Sequence, residues 1–469
     1  MTNLFAGIYG ANDALTAARY GLDVTGQNIA NANTPGYTRQ MSRQAAVGTA
    51  VGVPTIHSGT VENGGVRATG ADRLNDPILD IRARDEHAKS ASVDTNAARF
   101  TDIENIFHEP SDNGLAEQLH DFWNAWGDVA NNPGAQVPRE MLIQSGQATV
   151  TTLHSMDSAL DSVAAAAKNS LDAQVTSANA AAGDLSELNR KIAIGNATGV
   201  NVNALLDQRD VLLDKLSSTV GGVAKIYDNG TASVTVGGQD LVKVGAGGTP
   251  PFQAQQLTAS MTVTDPTHVA VDFAVAGTSV TLSDSTAAAE AKTLTDTVPK
   301  YRGQLDDVAK ALHDTVNGLQ GSGYQLDGTS GPDMFTGTTA SSITVDPAFT
   351  WKNVAASGAP SASGNLDGGN ALTAAKAGSL GTSPDTAYSS LVGDLGRASA
   401  SAKQQQTTQG VIASSVDTLR ASASGVSYDE EVSNMMTFQM AFQASSRVLT
   451  TLDSMLDTLI NHTGLVGQA

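Results

Sequence analysis

Asp207, Arg209 and Asp210 stand within four residues of one another in the stretch Asn203-Ala204-Leu205-Leu206-Asp207-Gln208-Arg209-Asp210. Two carboxylates on one helical turn have the means to hold a divalent cation or to divide general-acid and general-base work. They serve equally well as the salt-bridged interior of a helical bundle, and that reading takes precedence here. The eight histidines, at 57, 87, 108, 120, 154, 268, 313 and 462, are scattered. No two of them have the His-x-x-x-His spacing that sets a zinc pair on one helix face. Gly245-Ala246-Gly247-Gly248 lacks the lysine of a phosphate-binding loop, and no Gly-x-Ser-x-Gly elbow occurs. Asp327-Gly328 and Pro332-Asp333 lack the alternating oxygen ligands of a calcium loop, so both are read as turns. Trp123 and Trp126, three apart, are read as inward packing and not as a ligand cage. With no cysteine, thiol catalysis, thiolate metal sites and disulfides are excluded. The residues therefore predict no catalytic, cofactor or metal site, and a protein that is not an enzyme.

Bulk properties narrow the classes further. At 469 residues the chain exceeds one comfortable core, and two to four domains are expected. Its 27 basic and 47 acidic residues leave a net charge of −20, a field that repels phosphate backbones, so no nucleic-acid partner is expected. No apolar run approaches the roughly 18 residues of a membrane span. No basic residue precedes Arg19, so the start is not read as a secretory signal, and export would need another route.

The strongest pattern lies at the two ends. Leu4, Ile8, Ala11, Leu15, Ala18, Leu22, Thr25 and Ile29 recur in steps of four and three, a heptad stripe on a helix of about 40 Å. Asn31, Asn33, Thr34, Pro35 and Gly36 end it, because the residue before a proline disfavours helix and Gly36 permits a turn. Met435, Phe438, Phe442, Ser445, Leu449, Leu452, Leu456 and Leu459 keep the same rhythm near the other end. There Ser427 and Glu430 have capping-box spacing, and Asp429, Glu430 and Glu431 suit the positive end of a helix. Gly464 follows the last turn.

Two such helices invite pairing. Yet Phe5, Tyr9, Tyr20 and Val24 lie off the first stripe, as do Met436, Met440, Val448, Met455 and Ile460 off the second. One seam per helix would leave these side chains wet, and methionine is common on adaptable contact surfaces. The ends are therefore expected to order fully only when several copies pack together.

Between the ends, residues 37–70 read as irregular or β. Helical periodicity covers 74–107, through Ile78, Ile81, Val93, Phe100, Ile103 and Ile106, and returns at 114–130, 138–194 and 202–219. Short β-type runs at 223–227, 233–236, 241–244, 261–263, 269–275 and 279–282 are punctuated by Gly, Pro and the hairpin signal Asp228-Asn229-Gly230. Helix resumes at 298–319 and 387–421, with a loop-rich stretch from 336 to 383. The predicted fold is mainly α with β, an α+β multidomain chain with paired terminal coiled-coil helices. Its segments are 1–40 (N-terminal helix), 41–220 and 298–424 (two parts of a helical domain), 221–297 (inserted β-rich domain, expected farthest out) and 425–469 (C-terminal helix).

Asn28-Ile29-Ala30-Asn31-Ala32-Asn33-Thr34-Pro35-Gly36-Tyr37-Thr38-Arg39-Gln40 resembles the motif that ends the N-terminal helix of flagellar rod, hook and hook-associated subunits. Gly425-Val426-Ser427-Tyr428-Asp429-Glu430-Glu431, with Phe438-Gln439-Met440-Ala441-Phe442, resembles the matching C-terminal motif. Within that axial superfamily three interior segments resemble the hook-filament junction (hook-associated protein 1) family. They are 185–192, the Leu205–Asp210 segment with Asp207, Gln208, Arg209 and Asp210, and Gly114-Leu115 with Phe122 to Trp126.

The resemblance implies a structural subunit outside the cell, placed at the hook tip, that joins hook to filament. It implies several copies in a ring or helical layer, with the hook subunit and a second junction protein as partners. It also implies type III export and a cytosolic chaperone on the C-terminal helix. Rival readings are another axial subunit (second junction protein, hook protein or flagellin) or a flagellum-borne adhesin acting through residues 221–285.

Overall fold

The computed structural model describes residues 2–47, 65–107, 109, 111, 114–360 and 367–462; the side chains of 2–6 and 462 lie outside the description. Leu4, Phe5, Gly464, His57 and His108, singled out above, fall outside it in whole or in side chain.

Helix α1 spans Thr2–Asn31. Strands β1 (Gln40–Val47) and β2 (Gly65–Arg73) form an antiparallel hairpin. Four helices follow: α2 (Pro77–Phe107), α3 (Leu115–Asn131), α4 (Gln136–Thr198) and α5 (Asn203–Val220). Strands β3 (Val223–Ile226), β4 (Ala232–Val236), β5 (Gln239–Val244) and β6 (Phe252–Ala254) make one antiparallel sheet in sequence order. Strands β7 (Leu257–Asp265), β8 (His268–Val275) and β9 (Thr278–Val280) make another. Helix α6 (Thr286–Lys292) runs through a π-helical turn at Thr293–Thr297 into α7 (Val298–Ser322). The small pair β10 (Phe335–Thr336) and β11 (Thr344–Val345) and helix α8 (Gly369–Ala375) precede α9 (Pro384–Ser424) and α10 (Tyr428–Asp457). The chain is mainly helical with small antiparallel sheets, the class its sequence predicts.

The 63-residue helix α4 is the spine, about 95 Å long at 1.5 Å per residue. Two cores are strung along it. One gathers Phe122, Trp126, Leu142, Leu153 and Leu160 with Tyr301, Leu312, Phe335 and Leu391 around its N-terminal half. The other packs Leu171, Ala178, Ala182 and Leu185 of its C-terminal half against Leu213, Leu216, Val234, Leu241 and Phe273.

Three features depart from the prediction. The insertion is not outermost. Asn179, Asn189 and Asn196, all on the C-terminal half of α4, hold Leu257, Ala232 and Asn229 through side-chain hydrogen bonds of 2.8, 2.8 and 2.5 Å. The far end of the spine instead carries the loop-rich stretch: buried Arg139 donates to the carbonyls of Trp351 and Val354. Second, residues 286–297, which the sequence reading places in the β-rich segment, are helical. Ser285 Oγ caps α6 by accepting from Ala288 N, and the alanines that follow favour helix. Third, Ile78 and Ile81 do not face the core. At that end α2 buries Asp80, Ala83, Arg84 and Ala88 instead, because an ion-pair cluster and not an apolar layer lies beneath it.

Candidate assembly site

The two terminal helices lie antiparallel with a single register. Asn28 meets Glu431, Gly21 faces Phe438 and Gly7 faces Leu452, and the numbers in each pair add to the same total. Steps of seven or fourteen separate these pairs, as a heptad seam requires. Ile8, Leu15, Leu22 and Ile29 are partly covered on α1, and Met435, Phe438, Phe442, Leu449, Leu452 and Leu456 on α10. Gly21 has a steric purpose, since a Cβ there would lie 2.5 Å from the Phe438 ring. Leu459 is exposed, contrary to its place in the predicted stripe. It lies past the end of α10, in a π-helical segment at Thr458–His462 where the heptad phase is broken.

Off the seam the two helices differ. On α1, Gly10 touches Gly65, Asp13 pairs with Arg67, and Asn28 bonds Gln40, so the β1–β2 hairpin lies along that face. Ala17 and Val24 on it are buried, which corrects the prediction that Val24 is wet; Tyr9 remains exposed. Nothing described covers the second face of α10. Met436, Met440, Val448 and Met455 stand more than half exposed there. At 100° per residue they share one side of the helix with Ala444, and 436, 440, 444 and 448 form an unbroken i+4 ridge.

Below the seam, residues from three distant motifs converge. Asn28 is 1% exposed and saturated. Its amide nitrogen donates to Gln40 O (2.8 Å) and to the Glu431 carboxylate (2.9 Å). Its carbonyl oxygen accepts from Gln40 N (3.0 Å) and the Tyr37 hydroxyl (2.8 Å). Arg39 donates to Glu431 at 2.7 Å and Glu430 at 2.6 Å, and its backbone N–H to Ser424 O. Glu430 thus serves Arg39, and Ser427 makes no side-chain cap bond, so the predicted capping box does not form. Gln40 Oε1 accepts from Asn203 at the start of α5.

Two turns along α5, Arg73 of β2 donates to Thr38 (2.9 Å) and Asp210 (2.6 Å). It lies 2.8 Å from Asp207 without hydrogen-bonding geometry, a coulombic contact. Arg209 bonds Asp210 and the Gly230 carbonyl. Arg84 joins Asp210 (3.7 Å) to Asp214 (3.1 Å), and Arg420 of α9 joins Asp214 to Asp80. Four guanidiniums and four carboxylates therefore balance in one chain of contacts between α2, β2, α5 and α9.

The charges respond to that setting. Burial pushes the Asp207 carboxyl above its ordinary value, and Arg73 offsets this only in part. Burial acts on Asp210 in the same sense, but Arg209 and Arg73 outweigh it and hold that carboxyl below its ordinary value. Burial, with the Asp207 and Glu431 charges nearby, raises the Tyr37 hydroxyl to about 12. Burial alone would lower Arg39, yet Glu430 and Glu431 hold it above its usual range. These are features of a structural lock. Among the described residues no three acidic or histidine side chains are grouped as metal ligands.

Other motif residues stay outside the lock. Asn33, Thr34, Pro35 and Gly36 form an exposed turn, with Asn31 bonded to Gln27 O and Thr34 to Asn31. Gly36 (φ +78°) lies so close to Val211 that a Cβ would sit 2.3 Å away, so this turn docks on α5. Gln208 is exposed beside it on the rim of a groove of about 720 Å³ between the turn, α4 and α5. Asp429 is exposed. Sequence reading missed Arg73, Arg84, Asp214 and Arg420. The one signal available is that Arg84 follows Ile81 on a helix whose apolar period weakens there.

The model of the flagellar hook-associated protein FlgK helical domain matches residues 100–335. That of the flagella basal body rod protein matches 8–38, and that of the flagellar basal body rod FlgEFG protein C-terminal matches 420–462. Flagellar hook-associated protein 1 of Bacillus subtilis is 29% identical over the whole of both chains. Its Escherichia coli counterpart is 25% identical over 97% of this chain and 99% of that one. The fold is similar to the flagellar hook junction protein FlgK from Burkholderia pseudomallei, with TM-score 0.63 and 15% identity over 74% of this chain and all of the other. With its middle matched to the FlgK helical domain and its ends to flagellar terminal segments, the chain belongs to the flagellar hook-associated protein FlgK family.

Proposed function

We infer that the chain is a structural component of the bacterial flagellum that assembles at the hook tip and joins hook to filament. The observation that carries this beyond family membership is the unpaired apolar face of α10 beside a seam already satisfied by α1. Contiguous exposed apolar surface on a chain of net charge −20 calls for a partner, and other copies of the same helix pair supply one in a ring or helical layer. Ile8, Leu15, Leu22, Ile29, Met435, Phe438, Phe442, Leu449, Leu452 and Leu456 then hold each pair together, and Met436, Met440, Val448 and Met455 hold pair to pair. Before assembly the open face needs cover, which fits a cytosolic export chaperone on α10. The hook subunit on one side of the layer and a second junction protein on the other complete the joint. An adhesive role for residues 221–285 loses support from their position along α4.

Electron microscopy of a strain lacking the chain tests the reading. Intact hooks without filaments, with flagellin shed into the medium, are expected; normal filaments on those hooks would refute it.

A further inference from the structure

Sulfur is distributed unevenly over the two sides of α10. The chain has ten methionines and no cysteine, so thioethers are its only sulfur. Met156 and Met334 are shut into the core of the body, at 6% and 0% exposure. The seam against α1 is built from Phe438, Phe442, Leu449, Leu452 and Leu456, with Met435 its one methionine and partly covered. The open face reverses that choice. Of its large apolar residues Met436, Met440, Val448 and Met455, three are methionine, and these are 54%, 63% and 51% exposed.

We propose that Met436, Met440 and Met455 form an oxidation site, at which peroxide converts the thioethers to sulfoxides and so stops a free subunit from joining the assembly. In each event a sulfur lone pair attacks one oxygen of hydrogen peroxide. The S–O bond forms as the O–O bond breaks, and the departing hydroxide takes the proton of the transferred oxygen and leaves as water. Sulfur is oxidised by two electrons and the peroxide is reduced. Exposure decides which sulfurs react, since an oxidant in solvent reaches the open face of α10 and not the core. No thiol is present to consume the oxidant first. Position decides the consequence. Met436 and Met440 stand one turn apart on the ridge that continues through Ala444 and Val448. A sulfoxide there puts a strongly polar oxygen where another copy must pack an apolar surface, and a polar group buried without a partner opposes the contact. Once copies are packed, the same contact covers the sulfurs. The site therefore halts incorporation of new subunits under oxidant and spares those already in place. Met41, Met141 and Met261 are exposed as well, but they lie off α10, on β1, α4 and β7.

The oxidation site rests on the assembly reading, and experiments on the full-length chain separate the two. The unassembled protein is treated with hydrogen peroxide, and mass spectrometry maps the sulfoxides. Circular dichroism checks that helix content is unchanged, and sedimentation against concentration reads assembly. Sulfoxide is expected at Met436, Met440 and Met455 and not at Met156 or Met334, with assembly then needing about tenfold or more higher concentration. Met436→Leu/Met440→Leu/Met455→Leu keeps volume and apolarity and is expected to assemble alike before and after peroxide. Met41→Leu/Met141→Leu/Met261→Leu is expected to stay sensitive. Reduction by the two methionine sulfoxide reductases with a dithiol is expected to restore assembly of the oxidised wild type. Full assembly of wild type carrying the three sulfoxides, or peroxide sensitivity that persists in the α10 leucine variant, overturns the oxidation site and leaves the assembly reading intact. Where that variant assembles poorly even untreated, the reductase step decides, and lack of recovery overturns the site. The assembly reading fails separately, if untreated Met440→Asp/Val448→Asp assembles as wild type does.

Discussion

Asn28 shows why a particular residue type is required at the joint. Its amide uses both donors and both acceptor positions, and one donor goes to Glu431. Asp at this position would offer no donor and would set a second carboxylate against a Glu431 that is 2% exposed. Asn28→Asp is therefore expected to release α10 from the body, read as faster protease cleavage near residue 425, whereas cleavage at the wild-type rate would refute the role. Asp207 and Asp210 separate in the same way. The Asp210 carboxyl, held below its ordinary 3.8, contributes stability that is complete above that value and is lost as pH falls through the folded-state value. The Asp207 carboxyl is raised by burial, so its ionised form disfavours folding and its protonation relieves the strain. Asp210→Asn leaves Arg73, Arg84 and Arg209 short of a buried counter-ion and is expected to cost about 3–5 kcal/mol at neutral pH. It should also flatten the loss of stability below pH 3.8. Asp207→Asn is expected to cost less. Chemical denaturation across pH checks both, and equal costs would contradict the opposite shifts.

At the scale of elements, part of the α1–α10 seam was legible from spacing because a heptad is a local property: the stripe positions from Met435 to Leu456 are partly covered, but so are Glu431, Val432 and Ser446, which the stripe leaves out. What failed depended on elements elsewhere in the chain. Val24 is buried because the hairpin folds back over α1, Leu459 is exposed because α10 gives way to a π-helical segment before it, and Ser427 does not cap because Arg39 claims Glu430. The seam's tightness rests on Gly21. Gly21→Val drives a methyl into the Phe438 ring and is expected to cost about 1–3 kcal/mol, seen as earlier thermal loss of terminal helix by circular dichroism. Phe442→Asp or Leu449→Asp opens the seam outright. The helical body, with cores that include neither terminal helix, is expected to keep its own melting transition while incorporation at the hook tip is lost. Recovery of these variants at the tip in normal amounts would contradict the seam's role.

The whole molecule is a long spine with the assembly helices at one end, and the lock fixes how they leave it. That geometry was largely hidden in the sequence. Arg73 and Asp210 are 137 residues apart, Arg84 and Asp214 are 130, and Arg420 and Asp80 are 340, distances over which no periodicity speaks. The motif around Asp207 showed that something was held there, but its partners became visible only with β2, α2 and α9 in place. The insertion's position was misjudged for a related reason: three asparagines on α4, unremarkable as residues, tie it to the spine. Met440→Asp/Val448→Asp tests most directly whether a face of α10 not needed by α1 drives copies together, because both side chains stand clear of the seam. Sedimentation of the full-length protein against concentration is the measurement. A folded variant with the α1–α10 pair intact that stays monomeric where the wild type assembles is expected; assembly at the wild-type concentration would refute the role of this face.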